Sequence, residues 1–160
     1  MIKSTHLKHP CIVHTFTHRL SFIAQEICVL KEITRINHVG LRVRDLFISQ
    51  DFYAKLGFEF IAGPIGPEPV AIMEHPSGVN INFILNTSDN AVSDNILMDH
   101  REKHAGFTHI ALEITDLDQV EQHLESLGIK ITERVEFGGA RFFFIRDPDG
   151  NVLEFHKPAP

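Results

Sequence analysis

The chain has no tryptophan, no cysteine after Cys28 and no acidic residue before Glu26. Each gap narrows the reading. Because Cys11 and Cys28 both fall within the first 34 residues, the remainder has neither a disulfide nor a thiolate ligand, which suits a reducing cytoplasm. Basic residues form no block. Residues 1–34 hold four Lys/Arg and two Asp/Glu, so of the net −6 the remainder carries −8. Such a body repels phosphates, and no nucleic-acid partner is expected. No apolar run approaches the roughly 18–20 residues that cross a bilayer, so no membrane partner is expected either. What is present, 160 residues with 43% hydrophobic content, suffices for one domain or two small fused modules with a core.

Residues 1–33 stand apart. Lys3, Lys8, Arg19 and four histidines are scattered among Ser, Thr and apolar residues. His14, Thr15, Thr17, His18 and Arg19 interrupt the hydrophobic stretch a signal peptide needs. His14 and His18 have i, i+4 spacing, but no carboxylate or cysteine accompanies them at ligand spacing. The expectation is a poorly ordered or loosely docked extension.

From Arg35 the pattern is regular. Asn37-His-Val-Gly-Leu-Arg-Val43 alternates strictly, with Val39, Leu41 and Val43 on one face and His38, Gly40 and Arg42 on the other, which predicts a half-buried strand. Phe52, Tyr53 and Leu56 lie at helical spacing over 49–56, and Gly57 ends that helix. Strands are predicted at 58–61, 70–74 and 79–85, with a proline-stiffened loop over 63–69. Residues 87–106 read as a polar connector, in which His100 and His104 lie on a solvated charged face. Thr108-His-Ile-Ala-Leu-Glu-Ile114 then repeats the first alternation. Asp118-Gln-Val-Glu121 has capping-box spacing and predicts a helix start there. A strand at 129–133 follows. The Asp147-Pro-Asp-Gly150 turn joins Arg141–Ile145 to Val152–His156 as a closing hairpin.

The two halves repeat. At an offset of 71, His38 falls on His109, Asp45 on Asp116 and Gly57 on Gly128; at 72, Pro76 falls on Pro148, Gly78 on Gly150 and Asn82 on Glu154. Each half is strand–helix–strand–strand–strand, and neither module (34–86, 107–157) buries its apolar faces alone. The opposite faces collect His38, Arg42, Asn80, Asn82, His109, Glu113, Glu154 and His156. The predicted fold is therefore α+β, two tandem βαβββ modules over residues 34–157 forming a curved mixed-sheet cup with a wet interior.

These residues resemble the vicinal oxygen chelate superfamily, which includes glyoxalase I, extradiol dioxygenases and the fosfomycin- and bleomycin-resistance proteins. The resemblance rests on Asn37–Val43, Phe52-Tyr53, Leu56-Gly57-Phe58, Thr108–Ala111 and Asp147–Glu154. It implies a divalent ion (Ni, Zn, Mn or Fe) at His38, His109 and Glu154, with Asn82 in the fourth, weak position. It also implies a small-molecule substrate and a homodimer. Two imidazoles and a carboxylate form a facial set that leaves positions open for substrate, and such an ion polarises two adjacent oxygens. Asn82 departs from the Glu or Gln usual in glyoxalase I, since a neutral amide is a poor ligand and no base. Candidates for moving a proton are His156 and Glu113, with His156 the nearer to a ligand at two residues along the strand. Arg42 is the candidate for holding a substrate carboxylate. Three activities stay open: a glyoxalase-I-like lyase or isomerase, an Fe(II) ring-cleaving dioxygenase, and a metal-free small-molecule binder of the bleomycin-resistance type.

Overall fold

A computed structural model describes residues 32–88 and 94–160. The extension expected over 1–33, with His14, His18 and both cysteines, thus lies outside the described residues but for Glu32 and Ile33. Residues 35–160 form one compact unit. Along it run β1 (Val39–Arg42), α1 (Leu46–Lys55), β2 (Glu59–Ile65), β3 (Val70–Glu74) and β4 (Asn80–Ile84). The second series is β5 (His109–Glu113), α2 (Leu117–Ser126), β6 (Ile131–Phe137), β7 (Ala140–Arg146) and β8 (Val152–Lys157). The strands make two four-stranded sheets of identical order, β1-β4-β3-β2 and β5-β8-β7-β6. In each, the first strand pairs parallel with the last while the other pairings are antiparallel. The duplicated βαβββ architecture read from the sequence is the fold observed.

Alternation sets the faces. Ile81 and Phe83 of β4 are fully buried, as are Phe143 and Ile145 of β7 and Leu153 of β8, whereas Asn80 and Asn82 between them point the other way. Tyr53, Phe58 and Phe83 form an aromatic knot under α1, with ring centroids 5.2–5.7 Å from Tyr53. Phe143 stacks on Phe155 at 5.2 Å in the other half.

Three local expectations are corrected. The helices begin at Leu46 and Leu117, each capped by an aspartate one residue earlier: Asp45 accepts from the Ile48 amide and Asp116 from the Gln119 amide, both at 3.0 Å. The cap is therefore Asp116 rather than Asp118, because a side chain three residues before the bonded amide can close that ring. The third concerns β2, which runs to Ile65 through the stretch expected to be loop. It is the edge strand, and its register shifts between Phe60 and Ala62 and again between Ala62 and Ile65, which is where a sheet tolerates proline. Gly63 makes that path possible. At φ +135°, a Cβ on it would lie 2.6 Å from Ala71 Cα and 2.7 Å from the Val70 carbonyl oxygen. Gly63→Ala is expected to lower the unfolding free energy by about 2 kcal/mol in urea denaturation, since backbone must move to accept it.

One joint ties the modules together. The Asp147–Gly150 turn of the second half docks on α1 and on Arg44, two residues past the end of β1. Arg44 bonds Asp149 through Nε at 2.6 Å and through its backbone amide, and Tyr53 Oη donates to Asp147 Oδ2 at 3.2 Å. Asp147 also accepts from the amides of Asp149 and Asn151 and from the Asn151 side chain, at 2.8–2.9 Å.

Candidate metal centre

Within the second sheet the predicted residues converge. His109 is paired with Val152 and Ala111 with Glu154 in the β5–β8 register, which sets His109 diagonal to Glu154. Their side chains meet, with His109 Nε2 2.9 Å from Glu154 Oε2. His156, two residues along β8, puts Nδ1 2.7 Å from Glu154 Oε1. Two residues of strand span about 7 Å of backbone, but the side chains lean across that gap and touch. Glu154 is 7% exposed, and each of its oxygens has an imidazole nitrogen against it. A carboxylate held out of water needs such partners.

Aromatic rings frame this trio. Phe142 lies opposite His156 and Phe144 opposite Glu154 on β7. Phe142 stacks on His156 at 5.2 Å and 14°, and Phe144 meets His109 edge-on at 5.7 Å. Read from the sequence only as part of the Arg141–Ile145 hairpin arm, Phe142 and Phe144 were not singled out as facing the site. The period of two across β7 was the available signal.

The first sheet carries the counterpart. Gly40 is paired with Asn82, so His38 and Asn82 hold there the diagonal positions that His109 and Glu154 hold in the second sheet. His38 Nδ1 donates to Asn37 Oδ1 at 2.9 Å. That bond fixes the proton on Nδ1 and leaves the Nε2 lone pair outward, the arrangement of an imidazole that takes a metal. Thr108 Oγ1 meets His109 Nδ1 at 2.9 Å at the equivalent place, and because His109 Nε2 faces the Glu154 carboxylate, the threonine hydroxyl orients this ring as the partner of Nδ1. Asn37 and Thr108 are repeat equivalents that the sequence reading did not single out. Nearby, Asn80 Oδ1 is buried without a hydrogen-bond partner, an arrangement that costs free energy unless another group reaches it.

Arg42 sits on this face with its Nε bonded to Asn86 Oδ1 at 2.8 Å, and the Asn86 amide donates to Glu68 Oε1 at 2.7 Å. Neither Asn86 nor Glu68 was anticipated. Glu113 is exposed and lies opposite His156 in the register. Among the described residues, no group of three or more His, Cys, Asp or Glu is arranged within one chain to hold an ion. The trio is in contact, yet the His109 and His156 nitrogens that meet Glu154 face its oxygens instead of a shared point, and His38 is not among them. The chemistry of the donors nonetheless fits a divalent ion: imidazoles with oriented rings, and one carboxylate in a half-dry cup. No helix among the described residues is long and apolar enough to cross a membrane.

Comparison with known proteins agrees with this fold. The family described as the Glyoxalase/Bleomycin resistance protein/Dioxygenase superfamily matches residues 35–155. A stretch of 59 residues is 39% identical to the uncharacterized protein YaeR of Escherichia coli K12, covering 36% of this chain and 46% of that protein. The crystal structure of SMU.1112c superposes with a TM-score of 0.63 at 26% identity, over 78% of this chain and 99% of the other. A FosX variant from Listeria monocytogenes, a fosfomycin-resistance protein complexed with Mn(II) and dihydroxypropylphosphonic acid, superposes with a TM-score of 0.60. At 18% identity over 79% of this chain and 94% of that one, it speaks to the fold alone.

Proposed function

Since the chain belongs to the glyoxalase/bleomycin-resistance/dioxygenase superfamily, we propose that it is a divalent-metal-dependent enzyme acting on a small substrate with two adjacent oxygens. The activity proposed is that of a glyoxalase-I-like lyase or isomerase. The ion would be held by His109 and Glu154 of one chain and His38 of a second copy. The observation that carries this reading is the buried Glu154 between His109 and His156, matched by an outward-facing His38 at the equivalent place of the other sheet. A site split between two copies accounts for the absence of a complete ligand set among the described residues of one chain. It also gives a use to the buried Asn80 oxygen and to exposed Phe47, Phe107 and Phe137, apolar surface that an interface would cover.

When bound, the ion supplies Lewis acidity toward the two oxygens. This chain's residues do the rest. His156, with Nδ1 engaged by Glu154 and its ring plane fixed by Phe142, takes a proton at Nε2 from one substrate carbon and returns it to the next. Such a shuttle needs one base, which is why Asn82 in place of a second carboxylate does not forbid it. Phe142 and Phe144 exclude water from the reacting face. Arg42, oriented by Asn86 and through it by Glu68, binds a carboxylate on the substrate.

The three-ligand count favours a second reading, an Fe(II) ring-cleaving dioxygenase. Elemental analysis of freshly purified protein, then oxygen uptake with a catechol panel against isomerisation of a thiohemiacetal, separates them. The proposal expects Ni, Zn or Mn at about one ion per chain and isomerisation; Fe with oxygen uptake supports the second reading. Absence of bound metal would move the protein to the non-catalytic binders. Asn82→Ala is expected to leave metal content and activity within about twofold, because an amide adds little as a ligand.

A further inference from the structure

The repeat is broken at one place outside the cup. In the joint described above, Tyr53, Ser49 and Arg44 of the first module meet Asp147 and Asp149 of the second module's turn. At the repeat-equivalent positions of the other joint stand Leu124, Val120 and Thr115 on the second module's side and His75 and Ser77 in the first module's turn. Every carboxylate of the first joint is missing from the second, and so are the phenol and the guanidinium. In their stead lies a cleft of about 740 Å³ between the modules, a volume that suits one small ligand.

The walls of this cleft have one character. Leu56, Phe58, Val79, Leu112, Leu124 and Phe155 supply apolar surface from both modules. The polar groups on it, His75, Ser77, Gln119, His123 and Lys55 (its Nζ on Asp51 at 2.6 Å), can all donate. Glu113 also borders the cleft, but alternation along β5 turns its side chain to the face opposite Leu112. His75 is the best-defined donor. Its Nδ1 accepts from the Ser77 amide at 3.2 Å and meets Ser77 Oγ at 2.7 Å, so the proton of the neutral ring sits on Nε2. Phe58 holds the ring at 5.3 Å. Glycine at 57 keeps Nε2 uncovered, since a Cβ there would lie 3.1 Å from it.

Among the described residues, His75 Nε2 has no acceptor, although it lines an apolar cleft in a joint whose counterpart is closed by carboxylates. We infer that the cleft binds a single apolar monocarboxylate, its chain among Leu56, Leu124 and Phe155 and its carboxylate on His75 Nε2. The site is separate from the metal centre and does not depend on the activity assigned there.

Dodecanoate, titrated below its micelle concentration into the full-length protein and followed by amide NMR, tests this. Saturable one-to-one shifts are expected at Gly57, His75 and Leu124, with His38 and His109 unmoved whether or not metal is present. His75→Phe keeps the ring against Phe58 and removes the donor; it is expected to weaken dodecanoate about tenfold or more, while leaving dodecanol unchanged. Val120→Trp fills the cleft and is expected to abolish the shifts. Should Val120→Trp fail to fold, the wild-type shift map and the His75→Phe comparison still decide. No saturable binding, shifts confined to the cup, or equal affinity of His75→Phe for dodecanoate would each overturn the inference. So would movement of the Gly57 and Leu124 resonances on dilution of the protein alone, which would assign the cleft to a second copy.

Discussion

Replacing Glu154 by Gln should strip the protein of its metal, lowering metal affinity and turnover by about 100-fold or more. The buried carboxylate is an acceptor at both oxygens, with His109 at 2.9 Å and His156 at 2.7 Å. Glutamine fills the same volume but presents an N–H₂ to one imidazole and a neutral oxygen to the other. It cannot neutralise a divalent ion. His156→Gln separates binding from chemistry: metal content should stay near one ion per chain, while kcat falls by about 10²–10⁴ with loss of the base. If both variants lose metal equally, His156 is holding the ion or the fold of β8, and the proton-transfer role assigned to it fails.

The second large effect is on stability. Asp147→Ala is expected to lower the unfolding free energy by about 3 kcal/mol, and the midpoint temperature by about 10 °C. Asp147 is 5% exposed and Tyr53 is fully buried. Removing the carboxylate leaves the phenol and two turn amides without their acceptor. Tyr53→Phe alone should cost about 1.5 kcal/mol and close to nothing in the Asp147→Ala background, because the two changes delete the same bond. Burial, then the nearby Asp147 charge, pushes the Tyr53 phenol well above its ordinary value, so it remains a donor throughout the stable range.

The same joint predicts a pH dependence. Burial raises the Asp147 carboxyl above its ordinary value, against the pull of the Asn151 and Asp149 donors. A carboxyl that binds its proton more tightly folded than unfolded contributes stability in full below the unfolded value, and loses it as pH rises through the folded value. The penalty of Asp147→Asn should therefore be greatest below the ordinary carboxyl range and shrink as pH rises past the raised value. Urea midpoints of the pair across that range give the slope, and a penalty that grows with pH would contradict the assignment.

Much of this was legible in the chain. The period of two in 37–43 and 108–114 and the near-constant repeat offset carry the duplicated fold, because strand alternation and paired glycines leave few other architectures. That His109, Glu154 and His156 share one face of the second sheet was legible for the same reason: register follows from which face is apolar. Asn37, Thr108, Asn86 and Glu68 were not, since each acts through a partner whose position depends on pairing or on a neighbouring side chain. The start of α2 was misplaced because Asp116 and Asp118 are equally good caps on paper, and only the packing of Leu117 separates them. Pro64 within β2 was unreadable as strand, since an edge position is a property of the assembled sheet.

The claim on which the rest depends is that the metal site is divided between two copies. Co-expression of His38→Ala and Glu154→Ala chains, followed by metal analysis of the purified mixture, tests it most directly. Each parent alone should bind no metal. Random pairing makes about half of the dimers mixed, and each mixed dimer keeps one intact site of two, so the mixture should hold about a quarter of an ion per chain. A mixture as empty as its parents would place all three ligands within one chain, or nowhere, and would contradict the account.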